Sequence, residues 1–390
     1  MEVSLVPRVE EGYDDRTMIK TLSKAIALAF LAAPSAHSQV GADWQFGPFV
    51  RPAQGTPIIR ANPQSTFLDP IRKQPVAWEA LHTFNPAAIV REGKIYVLYR
   101  AEDNTGTMAI GMHTSRLGLA ESEDGIHVTR RSTPVFFPGP DDQKAREWEG
   151  GVEDPRIVES EDGTYILTYT QWNRTTYTIG IASSRDLLSW RKYGPAFGAS
   201  AGGKYTTLKY KSGAIVTSLR GGRLIATRIH GKYWMYWGEG NVHLATSTDL
   251  LHWSPVEDAS GMPIAVLGPR PGHFDSHFPE TGAPPVLTAK GIVFLYNGKN
   301  SSDAQRDPHI EPDAYAAGEA LFSADDPTRL LDRTAQPFFK PEAPFEKSGQ
   351  YAAGTTFVEG LVYFKSKWFL YYGCADSLVG VATADATTTP

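Results

Sequence analysis

The sequence predicts an all-β chain folded as a five-bladed β-propeller, and three observations predict it. An aromatic strand core recurs five times, as Val97-Leu98-Tyr99-Arg100, Leu167-Thr168-Tyr169-Thr170, Met235-Tyr236-Trp237-Gly238, Leu295-Tyr296-Asn297-Gly298 and Leu370-Tyr371-Tyr372-Gly373. A second short strand rich in Ser, Thr and Asp follows each core: Ala120–Asp124, Ala182–Asp186, Ala245–Asp249, Leu321–Asp325 and Ala382–Asp385. The tyrosines at 99, 169, 236, 296 and 371 are spaced by 70, 67, 60 and 75 residues, with no helical period between them. Five units of antiparallel strands at this spacing suit a propeller, whose inner strands meet at one central funnel. Residues far apart in sequence can then share a site.

The elements follow in order. Residues 1–38 read as a leader. Lys20 and Lys24 precede the apolar run Ala25–Ala33, and Ala36-His37-Ser38 is a small-x-small cleavage signature. The run is too short to anchor in a bilayer, so the expected fate is export, to the periplasm or the outside. Met18 is an alternative start. Residues 39–390 are expected to form one propeller domain. Its Pro-containing opening (39–75) wraps the first blade. Blades cover roughly 80–135, 150–198, 205–256, 278–335 and 350–386. Glu92-Gly93, Asp162-Gly163, His230-Gly231 and Lys290-Gly291 mark turns inside blades. Asp124, Asp186 and Asp249 read as turn-forming punctuation. The long connections 136–150, 257–279, 300–318 and 336–349 read as rims or lids. The one cysteine, Cys374, lies in an apolar strand and reads as a small core residue.

The formal charge of -5 on 390 residues is mild. It points to neither nucleic acid nor a membrane surface as partner. Aromatic residues make up 11% of the chain, which suits both blade packing and a carbohydrate site. Nothing here fixes an oligomeric state, and no cofactor is expected.

Candidate chemistry sits where inner strands begin or end. Blade one offers Asn85-Pro86 and Arg100; blade two offers Glu153-Asp154-Pro155-Arg156. Blade three offers Glu239, blade four Glu280, and blade five Asp376. Carboxylates for acid and base work, with an amide and guanidinium groups for sugar hydroxyls, are the equipment of a sugar-cleaving site. His273 and His277 flank Asp275 without helical spacing, so a sugar contact from the rim is expected there rather than a metal.

Together these segments resemble a known family. Asn85-Pro86-Ala87, Tyr99–Asp103, Ser115–Ala120, Gly151–Ile157, Gly282–Pro285 and Tyr371–Asp376 are similar, in order, to glycoside hydrolase family 130 over about residues 80–385. That family comprises β-mannoside phosphorylases and β-1,2-mannosidases built as five-bladed propellers. The resemblance implies that Asp154 is the catalytic acid and that Asn85, Arg100 and Asp376 hold the mannosyl unit. Glu153 joins them as a sugar contact, and Arg116 as a support or sugar contact.

One departure is informative. Phosphorylases cradle phosphate with basic side chains, because a dianion needs charge-assisted donors. At the position leading into Gly-x-Pro-Pro, where a basic residue is usual, this chain has Glu280. A carboxylate there would repel phosphate and could deprotonate water, with Glu239 beside it. The expectation is an inverting exo-β-mannosidase acting on manno-oligosaccharides of β-1,2 type. A phosphorylase is the alternative, with Arg156, Arg220, Arg223 and Lys299 as a displaced anion site. A glycan-binding propeller without catalysis is a further reading, against which the acid–base pair counts.

Overall fold

The computed structural model describes residues 43–54 and 56–386; the leader expected over 1–38 lies outside them. The described residues are almost entirely β, with helical turns at Lys144–Glu147, Ser200–Gly203 and Pro344–Glu346. No helix among them is long and apolar enough to cross a membrane.

Five antiparallel meanders follow one another, each centred on one of the aromatic cores. The first runs His82–Arg91, Lys94–Glu102, Ser115–Ser122, and the second Gly151–Glu159, Tyr165–Trp172, Tyr177–Ser184. The third runs Gly213–Ile215, Lys232–Trp237, Val242–Ser247. In the fourth the first strand is interrupted, as Phe278–Thr281 and Val286–Thr288, before Gly291–Lys299 and Tyr315–Phe322. The fifth runs Thr356–Phe364, Lys367–Cys374, Leu378–Asp385. Short fourth strands complete the first four meanders at Thr129–Arg130, Arg191–Pro195, Ser254–Pro255 and Leu330–Arg333. The fifth is completed from the other end of the chain: Val50 and Ile59 bridge to Thr383 and Val379 of its last strand.

The third repeat departs from the pattern. After Ile215 the chain makes a hairpin, Thr217–Arg220 with Arg223–Ala226. That hairpin pairs in parallel with Val286–Thr288 of the fourth repeat and Gly151–Glu159 of the second.

Turn chemistry follows the sequence at Glu92-Gly93 and His230-Gly231, where both residues take positive φ. Such turns match the twist of the strands they join. The fifth repeat makes the same turn without glycine, at Lys365-Ser366 (φ 48° and 64°), where no turn residue marks it. Asp124, Asp186 and Asp249 each accept two backbone N–H groups from the residues two and three positions on. They are turn formers, as their spacing suggested.

The five core tyrosines are all buried. Each hydroxyl donates a hydrogen bond, Tyr99 to Glu79, Tyr169 to Glu147, Tyr236 to the Pro327 carbonyl, Tyr296 to Asp275 and Tyr371 to the Gly125 carbonyl. Five apolar clusters lie between repeats. Leu98, Leu117, Ile157 and Leu167 join the first to the second. Ile166, Ile181, Met235 and Ala245 join the second to the third. Tyr236, Leu244, Phe294 and Phe322 join the third to the fourth, and Val293, Leu295, Leu361 and Leu370 the fourth to the fifth. The remaining cluster joins the fifth to the first, through Val362, Phe369 and Val381 against Ile95, Val97 and Tyr99. Cys374 is buried in the fourth-to-fifth cluster.

Candidate active site

Seven of the eight residues singled out from sequence line one cleft of about 300 Å³: Asn85, Arg100, Glu153, Asp154, Glu239, Glu280 and Asp376. They come from all five repeats. Local backbone irregularity aims several of them. The pairing of the first strand skips Asn85 in repeat one, and Asp154 and Pro155 in repeat two. A bulge leaves its residue unpaired and turns the side chain off the sheet face. Asn85 (φ 45°), Asp154 (φ 48°) and Asp376 (φ 50°) all adopt the left-handed conformation. Asn and Asp tolerate it better than other non-glycine residues. Proline suits the two bulges because it has no N–H to offer the ladder.

The acid side centres on Arg100. Its guanidinium reaches Asp154 at 3.1 Å, Glu102 at 2.6 Å and Glu153 at 2.9 Å, and its face covers the Phe84 ring. Asn85 Nδ2 donates to Asp154 Oδ1 at 2.9 Å, and Ser115 Oγ donates to Glu153. Burial pushes the Asp154 carboxyl up, but Arg100, Lys211, Asn85 and Arg156 outweigh it, so Asp154 lies below the usual range. Glu153 goes the other way. Burial lifts it to about 7, against the pull of Arg100. Burial likewise raises Asp376 to about 7.

The opposite side is built on Lys211. Its ammonium sits 2.8 Å from Glu239 and 3.3 Å from Glu280. Ser212 Oγ donates to Glu280 at 2.6 Å. Backbone pairing between Glu239 and Glu280 holds the two carboxyls side by side. Glu280 is buried and its carboxyl is raised by burial, with Lys211 pulling it down; the Glu239 side chain is 29% exposed. Trp172, Tyr177, Tyr315, Tyr351 and Phe357 supply aromatic wall, a surface suited to sugar rings.

Arg116 does not reach the cleft. It is fully buried, paired with Asp69 at 2.5 Å and Asp103 at 2.8 Å, so it serves as a support and not as a sugar contact. The rim contact expected at His273 and His277 is also absent from the cleft lining. Their neighbour Asp275 is bound by Arg270, Arg333 and Tyr296. Among the described residues no group of His, Cys, Asp and Glu is arranged to hold a metal. The displaced anion site does not assemble either: Arg220 pairs with Glu161, Arg223 with Glu159, Lys299 with Asp313 and Arg156 with Glu359.

A family model described as β-1,4-mannooligosaccharide phosphorylase matches residues 56–388. The chain belongs to glycoside hydrolase family 130. Within family 130, a 1,2-β-oligomannan phosphorylase of Thermoanaerobacter sp. (strain X514) is 29% identical over 78% of this chain and 90% of its own length. Solved structures are nearer. One, described as belonging to the family 130 glycoside hydrolases that target β-1,2 mannosidic linkages in Candida mannan, is 51% identical (TM-score 0.88). It covers 90% of this chain and 97% of that one. A glycosyl hydrolase from Bacteroides ovatus is also 51% identical (TM-score 0.87), with the same coverage.

Lys211, Ser212 and Glu359 escaped the sequence reading. Lys211 and Ser212 lie in no motif, and their role depends on partners near 239 and 280. Glu359 did carry a signal, as an acid inside the apolar strand Thr356–Phe364.

Proposed function

We propose that this chain is an exported, inverting exo-β-mannosidase that hydrolyses β-1,2-linked manno-oligosaccharides. Its five repeats close into one five-bladed propeller, which accounts for residues 39–390 as a single catalytic domain. The cycle of five inter-repeat clusters, with the last joining the fifth repeat to the first, supports closure. The pairing of Val50 with Thr383 supports it too.

The observation that carries the hydrolase reading is the state of Lys211. Its charge is already matched by Glu239 and Glu280. The cleft lining holds two cations, Arg100 and Lys211, against five carboxyls. Even with Glu153 and Asp376 protonated, a phosphate dianion would enter a negative field with no free donor cation. Water meets no such barrier. In this reading Asp154 protonates the glycosidic oxygen, directly or through a sugar hydroxyl, while Glu280, with Glu239, takes the proton of the attacking water. The sugar's hydroxyls take over Asn85 and Arg100, which releases Asp154 from the partners that hold it ionised. A cleft at the small end of ligand pockets suits a chain end more than a chain running through.

The phosphorylase alternative rests on the 29% identical relative. Purified protein given β-1,2-mannobiose, with and without inorganic phosphate, decides between them. Free mannose without phosphate supports the hydrolase. Mannose 1-phosphate formed only with phosphate overturns it, and binding with no sugar release would leave a glycan-binding propeller. In a substrate complex an inverting pair should stand about 6.5–9.5 Å apart; about 5 Å would contradict inversion.

A further inference from the structure

The reaction assigned above needs an acid and a base from different repeats held at a fixed separation. One buried side chain touches the backbone of both. Arg156 Nη1 donates to the Asp154 carbonyl at 3.0 Å. Its Nη2 donates to the Thr281 carbonyl at 2.7 Å and its Nε to the Gly282 carbonyl at 3.1 Å, directly after Glu280. The guanidinium thus clips the strand end that carries the acid to the strand end that carries the base. Carbonyl oxygens alone do not neutralise a guanidinium that is only 2% exposed.

A carboxyl from a third strand stands against it, held well above the usual glutamate range by burial, with Arg156 pulling it down. Glu359 Oε1 lies 2.9 Å from Arg156 Nη2, and the Glu359 side chain is fully buried. Neither Glu359 oxygen has a hydrogen-bond partner, so the contact is a close approach to Nη2 off its N–H axes. Glu359 is the unpaired residue of a bulge in Thr356–Phe364, between Val358 and Gly360. The equivalent bulges in the first two repeats carry Asn85 and Asp154. The bulge is pinned on one side by Asn297, whose side chain accepts from the Val358 N–H at 2.7 Å and donates to its carbonyl at 3.1 Å. On the other side Gly360 lies so close to Pro86 and Ala88 that an added Cβ would stand 2.9 Å from the Pro86 carbonyl.

We propose that Arg156 and Glu359 form a positioning pair: Arg156 sets the spacing between Asp154 and Glu280, and Glu359 holds Arg156 in that grip. Neither lines the cleft, so neither touches the sugar. The inference rests on the acid and base assignments of the preceding section.

The test compares kcat and KM of Glu359→Ala, Glu359→Gln and Arg156→Lys with the unaltered enzyme on β-1,2-mannobiose. A misplacement of about 1 Å costs on the order of 100-fold in rate. Glu359→Ala should lose about that much in kcat while KM moves less than about threefold, since Asn85, Arg100 and Asp376 are untouched. Glu359→Gln keeps the length and an oxygen beside Nη2 and should recover to within about tenfold. Arg156→Lys, unable to serve three carbonyls at once, should fall with Glu359→Ala. A folded Glu359→Ala enzyme with kcat within threefold of normal overturns the pair, as does a Gln variant no better than Ala. If Glu359→Ala does not fold, Arg156→Lys carries the test, and near-normal kcat there overturns it. The product made by the unaltered enzyme separately identifies the nucleophile. Should that be phosphate, the same ratios measured with phosphate still judge the pair.

Discussion

At the scale of single residues, the cleft divides protons between two carboxyl groups that are neighbours in sequence. Asp154 is held ionised by Arg100 and Asn85, while burial keeps Glu153 near 7. Asp376 titrates in the same range. Activity that needs a proton on this side should therefore fall as pH rises through about 7. Under the proposed mechanism the acid limb belongs to the base. Glu280 is raised by burial, so activity should fall as pH drops through a value above the ordinary glutamate range. Lys211→Met removes the cation that stands between Glu280 and Glu239 and should move that acid limb to higher pH, with lower kcat. A pH–rate profile of the two enzymes checks the direction, and an unmoved limb would show that neither glutamate is the base. Asp154→Asn should cost several orders of magnitude in turnover while mannose still binds by calorimetry; near-normal turnover would remove Asp154 from the acid's role. These residues were legible because Asn85 and Glu153-Asp154-Pro155-Arg156 put polar and charged side chains into otherwise apolar strands, His82–Arg91 and Gly151–Glu159. Lys211 was not, because a lysine beside an unremarked serine gains meaning only from carboxylates that fold next to it.

At the scale of elements, the aromatic pattern was readable because each middle strand carries a buried tyrosine, three of which pack over a glycine of the next strand. Gly118, Gly180 and Gly318 lie under the rings of Tyr99, Tyr169 and Tyr296, where a Cβ would stand 2.3–2.5 Å from ring carbon. Gly180→Ala must push the Tyr169 ring from its place and strain the hydrogen bond to Glu147. The expected loss is about 1–3 kcal/mol, the usual range for overpacking, measured by urea unfolding. An unchanged midpoint would mean that the strand yields instead of the ring. What sequence could not show at this scale were the bulges. Their register shifts arise from pairing between strands, and local propensity does not report a residue left unpaired. The hairpin of the third repeat was missed for a related reason: Thr217–Ala226 looks like ordinary strand and turn, and its parallel partners lie in two other repeats.

At the scale of the whole molecule, the N-terminal segment is fastened across the fourth and fifth repeats. Phe46 N–H donates to Glu319, Trp44 Nε1 to Asp332, and Arg51 pairs with the buried Glu346 at 2.6 Å. Glu319 has one oxygen in that contact and the other without a partner, and burial lifts its carboxyl to about 8. The folded protein therefore keeps this proton, from the ordinary glutamate range up to about 8, where the unfolded chain has lost it. Stability should fall as pH rises through that window. Glu319→Gln keeps an acceptor for Phe46 and has no proton to lose. It should unfold at a higher temperature than the parent at pH 8, by about 3 kcal/mol in stability, and match it near pH 5. Equal pH dependence in both proteins would show that Glu319 is ionised as freely as in the unfolded chain. The repeat count could be read directly, since each repeat carries its own aromatic core. The way the chain ends meet could not, because two short stretches around Val50 and Ile59 carry no strand pattern of their own.

The bridge from Val50 to Thr383 also sets an order of events in time. A ribosome makes Val50 more than three hundred residues before Thr383 exists. The fifth repeat cannot gain its fourth strand until the earliest part of the chain is brought back to the latest. The first four repeats can mature during synthesis, each with a fourth strand of its own. The last must wait until Thr383 has emerged, so a nascent chain stalled before it would present an unfinished sheet edge, open to any chaperone that recognises one.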